Sequence, residues 1–206
     1  AYYRKLPVAH VEAGLRSYDI YHPWPEEVNR KIISAIADLH FAPTERAAKC
    51  LKLENISEEK IVVSGNTVVD ALLYIKSRLP DYAEVPSKVI GDIAPGKKLV
   101  LATCHRRENF GKGVKNIAAA FRRLAQRDDV HICLSVHPNP NVKDVFSDQL
   151  KNVPNIALVE PLSYLDFVDT LLRAEFVLTD SGGVQEEAPT FGKPVLVMRE
   201  TTERPE

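Results

Sequence analysis

Ten consecutive residues, Thr179-Asp180-Ser181-Gly182-Gly183-Val184-Gln185-Glu186-Glu187-Ala188, join a short polar segment and two glycines to an acidic helix start. Paired glycines between a strand and a helix let the backbone approach an anion closely, and the unpaired N–H groups of a helix start favour negative charge. That chemistry suits a diphosphate. Glu187, about one turn further on, could accept hydrogen bonds from two ribose hydroxyls. The same string also fits an ordinary tight turn in which Glu186 and Glu187 only complement the helix dipole.

Two further clusters carry titratable or cationic groups. Thr103-Cys104-His105-Arg106-Arg107-Glu108-Asn109-Phe110-Gly111 sets two arginines and an imidazole directly after an apolar run. Arginine binds phosphate oxygens in pairs, and a histidine there could bond a leaving group or exchange protons near neutral pH. His105 could equally satisfy a loop carbonyl. His10-Val11-Glu12-Ala13-Gly14-Leu15-Arg16 lies at another strand end, followed by Pro23-Trp24-Pro25-Glu26-Glu27 at a helix start. Carboxylates from two such loops could act as general acid and base if they faced one pocket. As first-turn acids, Glu26 and Glu27 would need no such role. His10, His105 and His137 match no HExxH or Cys/His spacing, so no metal is expected. With neither GxxxxGK[ST] nor GxGxxG present, NAD chemistry is disfavoured.

These groups need a scaffold that brings loops together. Short β-branched runs alternate with amphipathic stretches, which predicts βα units around parallel sheets. A first group has strands at 7–11, 39–42 and 61–63. Its helix at 25–37 carries Val28, Ile32, Ile33 and Ile36 on one face, and Thr44 caps the next. Gly65-Asn66-Thr67 leads into a further helix. A breaker-rich stretch between Leu79 and Lys97 reads as a linker. A second group follows, with strands at 98–103, 131–136, 156–158, 176–179 and 194–198. Helices are predicted at 114–127, 142–151, 163–173 and 184–191. In such sheets ligands sit outside the carboxyl ends of the strands, where the polar clusters fall. The first group has no opening βα unit, so the chain reads as a piece truncated at both ends.

The composition sets outer limits. The 206 residues carry a formal charge of -1, with 27 Lys and Arg against 28 Asp and Glu, so no global field draws the protein to nucleic acid or an anionic membrane. No apolar run is long enough to span a bilayer, and no signal peptide is evident. Three cysteines without CxxC spacing indicate reduced thiols and a cytoplasmic protein.

Six strings taken in order are far more specific than any one. They are the His10–Arg16 and Pro23–Arg30 segments, Gly65-Asn66-Thr67-Val68-Val69-Asp70, His105-Arg106-Arg107-Glu108-Asn109, Asp180–Glu187, and Arg199-Glu200-Thr201-Thr202-Glu203-Arg204-Pro205-Glu206. Over essentially the whole chain they resemble the non-hydrolysing UDP-N-acetylglucosamine 2-epimerases. The resemblance implies an α/β fold with two Rossmann-like domains of GT-B type. Residues 1–64 would be the end of an incomplete first domain and 65–206 the UDP-binding domain. It implies a homodimer, a UDP-sugar substrate and no cofactor. The reaction would be reversible C2 epimerisation of UDP-N-acetylglucosamine to UDP-N-acetylmannosamine by elimination and re-addition of UDP. By position, Glu12, Glu26 and His105 resemble the catalytic set. Ser181, Gly182 and Gly183 resemble the diphosphate turn and Glu187 the ribose ligand, while Phe167 would lie against uracil. Arg16, His137 and Arg204 fall among the substrate-binding positions. Phe167 also fits a core face with Tyr164, Leu171 and Leu172. The alternatives are a GT-B glycosyltransferase, a hydrolysing 2-epimerase, or an inactive UDP-binding fragment.

Overall fold

The computed structural model describes residues 1–79, 89 and 96–204. The linker expected between Leu79 and Lys97 lies outside the described residues except for Val89 and Gly96. The chain divides into two compact units, one of Ala1–Asp70 with Glu200–Glu206 and one of Ala71–Arg199.

The first unit has a parallel sheet in the order β1 (Ala9–Val11), β2 (Leu39–Ala42), β3 (Ile61–Val63). Helix α1 (Glu26–Ile36) connects β1 to β2, and α2 (Glu45–Leu53) connects β2 to β3. Thr44 caps α2 as expected, its side chain accepting from the Ala47 N–H at 3.1 Å. Ala13, Ala42, Ala47, Ala48 and Leu51 form a small core in which the loop after β1 lies directly on α2. Gly14 makes that approach possible. Its φ is +88°, and a Cβ there would stand 2.1 Å from the Ala47 carbonyl oxygen.

Helix α1 does not bury the whole of its apolar stripe. Ile32 is 57 % exposed and Ile33 36 %, whereas Glu27 and Ser34 are buried. The reason is polar: Glu27 accepts the Ser17 and Tyr18 N–H groups at 3.0 and 3.1 Å, and Ser34 accepts from Arg16 at 2.8 Å. The inward face of α1 therefore secures the polar loop at the end of β1.

The second unit is a five-stranded parallel sheet in the order β6-β5-β4-β7-β8. The strands are β4 (Lys98–Cys104), β5 (Val130–Val136), β6 (Ile156–Val159), β7 (Phe176–Thr179) and β8 (Val195–Val197). The helices are α3 (Thr67–Lys76), which enters from the first unit, α4 (Lys112–Leu124), α5 (Pro140–Leu150), α6 (Tyr164–Arg173) and α7 (Val184–Thr190). Alternate residues of β4 supply opposite cores. Val100, Ala102 and Cys104 pack with α4 and α5, while Leu99 and Leu101 pack with α6 and α7. Burial on both faces explains why these strands read as continuous apolar runs. After β6 the chain crosses back past β5 and β4 to form β7, so the strand order reverses between β4 and β7. The loops at their carboxyl ends diverge there and leave a crevice.

Candidate functional site

The site of the second unit is built where β4 and β7 end side by side. Thr103 and Thr179 are register partners, and their hydroxyls meet at 2.6 Å. The next residue of β7, Asp180, is wholly buried. Its carboxylate accepts the His105 N–H at 3.0 Å, the Arg106 N–H at 2.9 Å and the Asn109 amide at 2.9 Å. The His105 ring adds Nδ1 at 3.1 Å from Asp180 Oδ1. Burial pushes the Asp180 carboxyl up, but the His105 ring, the Arg106 N–H and Asn109 together outweigh it and hold it below its ordinary value. Burial and the Asp180 carboxylate push the neighbouring Cys104 thiol well up, so it remains protonated.

This network assigns the histidine protons. His105 turns Nδ1–H to Asp180, leaving Nε2 for a ligand. His137, stacked on it with ring centroids 6.0 Å apart, accepts the Asn139 N–H on its own Nδ1 at 3.2 Å, which places its proton on Nε2. Each ring thus has its Nδ1 engaged by the protein and its Nε2 left for a ligand.

Facing them is the turn that opens α7. The Ser181 N–H bonds the Thr179 hydroxyl at 2.9 Å. Gly183 has an ordinary helical conformation, φ -61° and ψ -42°, so backbone geometry does not demand glycine. A Cβ there would find only Glu187 Oε2, at 3.9 Å. Bareness beside a carboxylate, and not left-handed freedom, is what Gly183 supplies. Gly183→Ala should therefore keep or gain up to about 1 kcal/mol of stability, as a thermal melt would show.

Glu187, 5 % exposed, accepts the Tyr164 hydroxyl at 2.9 Å. Burial pushes its carboxyl above the ordinary value, with the Glu186 charge adding, against the opposing pull of Tyr164. Thr103, Cys104, His105, Ser135, His137, Pro161, Tyr164, Phe167, Ser181, Val184 and Glu187 line a cavity of about 280 Å³. That is at the small end of ligand pockets, roughly 300–1,000 Å³, and suits a nucleoside.

Of the residues singled out in the sequence, His105, His137, Phe167, Ser181 and Glu187 share this cavity, and Gly182 and Gly183 belong to the same turn. Glu12, Glu26, Arg16 and Arg204 lie in the first unit. Glu12, at the end of β1, has φ +58°, a left-handed conformation that costs a non-glycine residue about 1–2 kcal/mol. Its carboxylate is 4.0 Å from Arg204, which also pairs with the buried Glu203; Arg30 reaches Glu203 at 3.4 Å. Glu26 opens α1, one turn before Arg30.

Arg16 is engaged by protein groups of its own unit. Its buried guanidinium grips Glu54 with two 2.7 Å bonds and donates to Ser34 and the Leu15 carbonyl, so it holds the loop in place. His10 is held neutral, with burial, His40, Arg16 and Arg30 lowering it to about 4. Asp180 and Tyr164 were not singled out as site residues. For Asp180 the available signal was a polar residue placed directly at a strand end beside the crevice.

The family model for UDP-N-acetylglucosamine 2-epimerase matches residues 1–206. The chain belongs to the UDP-N-acetylglucosamine 2-epimerase family. A probable UDP-N-acetylglucosamine 2-epimerase of Ralstonia nicotianae is 50 % identical over 210 residues, covering all of this chain and 56 % of that protein. The crystal structure of the Neisseria meningitidis UDP-GlcNAc 2-epimerase bound to UDP-GlcNAc superposes with a TM-score of 0.94 at 45 % identity. It covers all of this chain and 56 % of its own. The Methanocaldococcus jannaschii UDP-GlcNAc 2-epimerase in complex with UDP-GlcNAc and UDP gives a TM-score of 0.81 at 36 % identity, over all of this chain and 57 % of that one. The chain thus spans about half the length of the 2-epimerases it matches. Among the described residues, no helix is long and apolar enough to cross a membrane, and no group of three or more His, Cys, Asp or Glu is arranged to hold a metal ion.

Proposed function

We propose that this chain is part of a non-hydrolysing 2-epimerase interconverting UDP-N-acetylglucosamine and UDP-N-acetylmannosamine, and that the UDP-binding domain expected over residues 65–206 has the second unit, Ala71–Arg199, as its body. The observation that carries the reading is the shared cavity of His105, Ser181 and Glu187 in a member of this family. In this reading Phe167 packs against uracil, Glu187 accepts from the ribose, and Ser181, Gly182 and Gly183 hold the diphosphate, with His137 donating from Nε2. His105, its Nδ1–H held by Asp180, assists departure of UDP by donating a proton from Nε2.

The C2 proton has no adjacent carbonyl to acidify it, so positive charge developing at C1 must do so, and leaving-group stabilisation comes first. Inversion then requires proton exchange on both faces of C2, hence two acid–base groups, the roles given to Glu12 and Glu26. The left-handed backbone of Glu12 supports its assignment, because such strain persists where the surroundings over-determine a position. Arg204, 4.0 Å from Glu12, would meet the sugar or a phosphate. We place the protein in the cytoplasm, in keeping with three free, buried cysteines, and as a homodimer on the resemblance alone.

Two measurements test this. Calorimetry should find UDP bound, and proton NMR in heavy water should show deuterium entering C2 of UDP-N-acetylglucosamine. UDP binding without exchange would favour the reading as a UDP-binding module, which the chain's half-length coverage supports. Free sugar accumulating would favour the hydrolysing relative, and absence of UDP binding would overturn the assignment. Within the main reading, Glu12→Gln should lower turnover by about 10²–10⁴-fold and leave UDP affinity unchanged, as steady-state rates and calorimetry would show.

A further inference from the structure

Tyr164 is the first residue of α6, and the start of that helix is firmly set. Ser163 accepts the Asp166 N–H at 3.2 Å and donates to the Asp166 carboxylate at 2.7 Å. Phe167, three residues on, lies on the same side of the helix. The two rings stack with centroids 6.3 Å apart and planes within 18°. The phenol is thus held by its body at the cavity rim, 40 % exposed, while its hydroxyl reaches from α6 to the Glu187 carboxylate on α7.

Among the described residues, that hydroxyl is the only hydrogen-bond donor to Glu187. A carboxylate that is 5 % exposed must have its lost hydration replaced, or it turns, protonates, or both. A carboxylate has about four lone-pair sites. Tyr164 occupies one on Oε1, leaving the other site of Oε1 and both of Oε2. The Oε2 side is kept open by Gly183, whose missing Cβ would have stood 3.9 Å away. What remains is an acceptor with free sites on both oxygens, able to bond two neighbouring hydroxyls at once.

We propose that Tyr164 is a positioning residue for ribose recognition, its hydroxyl holding the Glu187 carboxylate in orientation so that the site selects nucleotides carrying a 2′,3′-diol. This rests on the UDP reading above and adds a specificity device to it. Tyr164 touches no reacting atom and acts only through Glu187.

The experiment is calorimetric, on this chain, with UDP and 2′,3′-dideoxyuridine diphosphate as the two probes. Tyr164→Phe keeps the stacked ring and removes only the donor. It should weaken UDP about 10-fold or more, the worth of one hydrogen bond to a charged group, and leave the dideoxy nucleotide bound as in wild type. In a Glu187→Gln background the same change should have little further effect on UDP, because the two side chains act as one unit. Should the phenylalanine variant fail to fold, Tyr164→Leu gives the same comparison, with the loss again confined to the diol-bearing nucleotide. Equal loss for both nucleotides would make Tyr164 a wall of the cavity and overturn the proposal, as would no loss for either. If wild type binds the dideoxy nucleotide but gains nothing from the diol, the proposal fails while the UDP site stands. If it binds neither nucleotide, the UDP reading fails and the proposal with it.

Discussion

Asp180→Ala is expected to lower folding stability by about 3–5 kcal/mol, the scale of a buried charged network broken from one side. The carboxylate is wholly buried, and its loss would strand the His105 and Arg106 N–H groups and one hydrogen of the Asn109 amide. Asn109 would keep its bond to the Met198 carbonyl at 3.2 Å, so the loop after β4 would loosen without being released at every point. Asp180→Asn should lose much of the same energy, since an amide turns a donor toward groups that are already donors. Urea denaturation followed by circular dichroism measures both variants. The acid limb gives a second check. Because Asp180 is held below its ordinary value of 3.8, its contribution is complete above about pH 5 and is lost as pH falls through the lowered value. Wild type should therefore lose more stability than Asp180→Asn on going from pH 7 to pH 3. Equal losses would mean that the carboxylate is not holding the loop.

Glu187→Ala is expected to weaken UDP binding by about 100-fold or more, the loss of two hydrogen bonds to a charged acceptor. Its effect on stability should run the other way from that of Asp180. The Glu187 carboxyl is raised from its ordinary 4.5, so the stability it contributes is fully present below that value and is lost as pH rises through the raised one. Once ionised, the group burdens the fold, and Glu187→Gln should match or exceed the wild-type melting temperature while binding UDP poorly. Two carboxylates of one crevice thus have opposite signs. Asp180, surrounded by donors, builds the site; Glu187, with one donor, is kept for a ligand. A Glu187→Gln protein that melted several degrees lower with UDP affinity intact would reverse this division of roles.

Much of this architecture was legible in the order of residues, for reasons that also mark where legibility ends. Strands β4 and β5 read plainly because both of their faces are buried, and helix starts read plainly where a side chain caps them, as Thr44 and Ser163 do. The cavity members His105, Ser181 and Glu187 were also visible, since each follows a strand whose carboxyl end the fold directs to one rim. Three things were not visible. The apolar stripe of α1 shows that the helix has two faces but not which one is buried; Glu27 and Ser34 face inward because polar partners ten and eighteen residues away require them. The ion pair of Arg16 with Glu54 was hidden because the two are 38 residues apart. Tyr164 passed as one more apolar residue of a helix, because the bond that gives it meaning crosses to a different element.

The crossing between β4 and β7 carries a consequence for how the second unit assembles. His105 and Asp180 are 75 residues apart in the chain, and β5, α5 and β6 are all made between them. Loop closure over that length is shared with the pairing of β4 and β7, so the polar cluster is expected to form together with that pairing and to be lost with it. The His105 and Arg106 amides, tied to a residue at the far side of that detour, would serve as hydrogen-exchange reporters of whether the sheet is whole. A nucleotide drawing on both loops would then act as a clasp, favouring the finished sheet over every species in which β7 has yet to arrive.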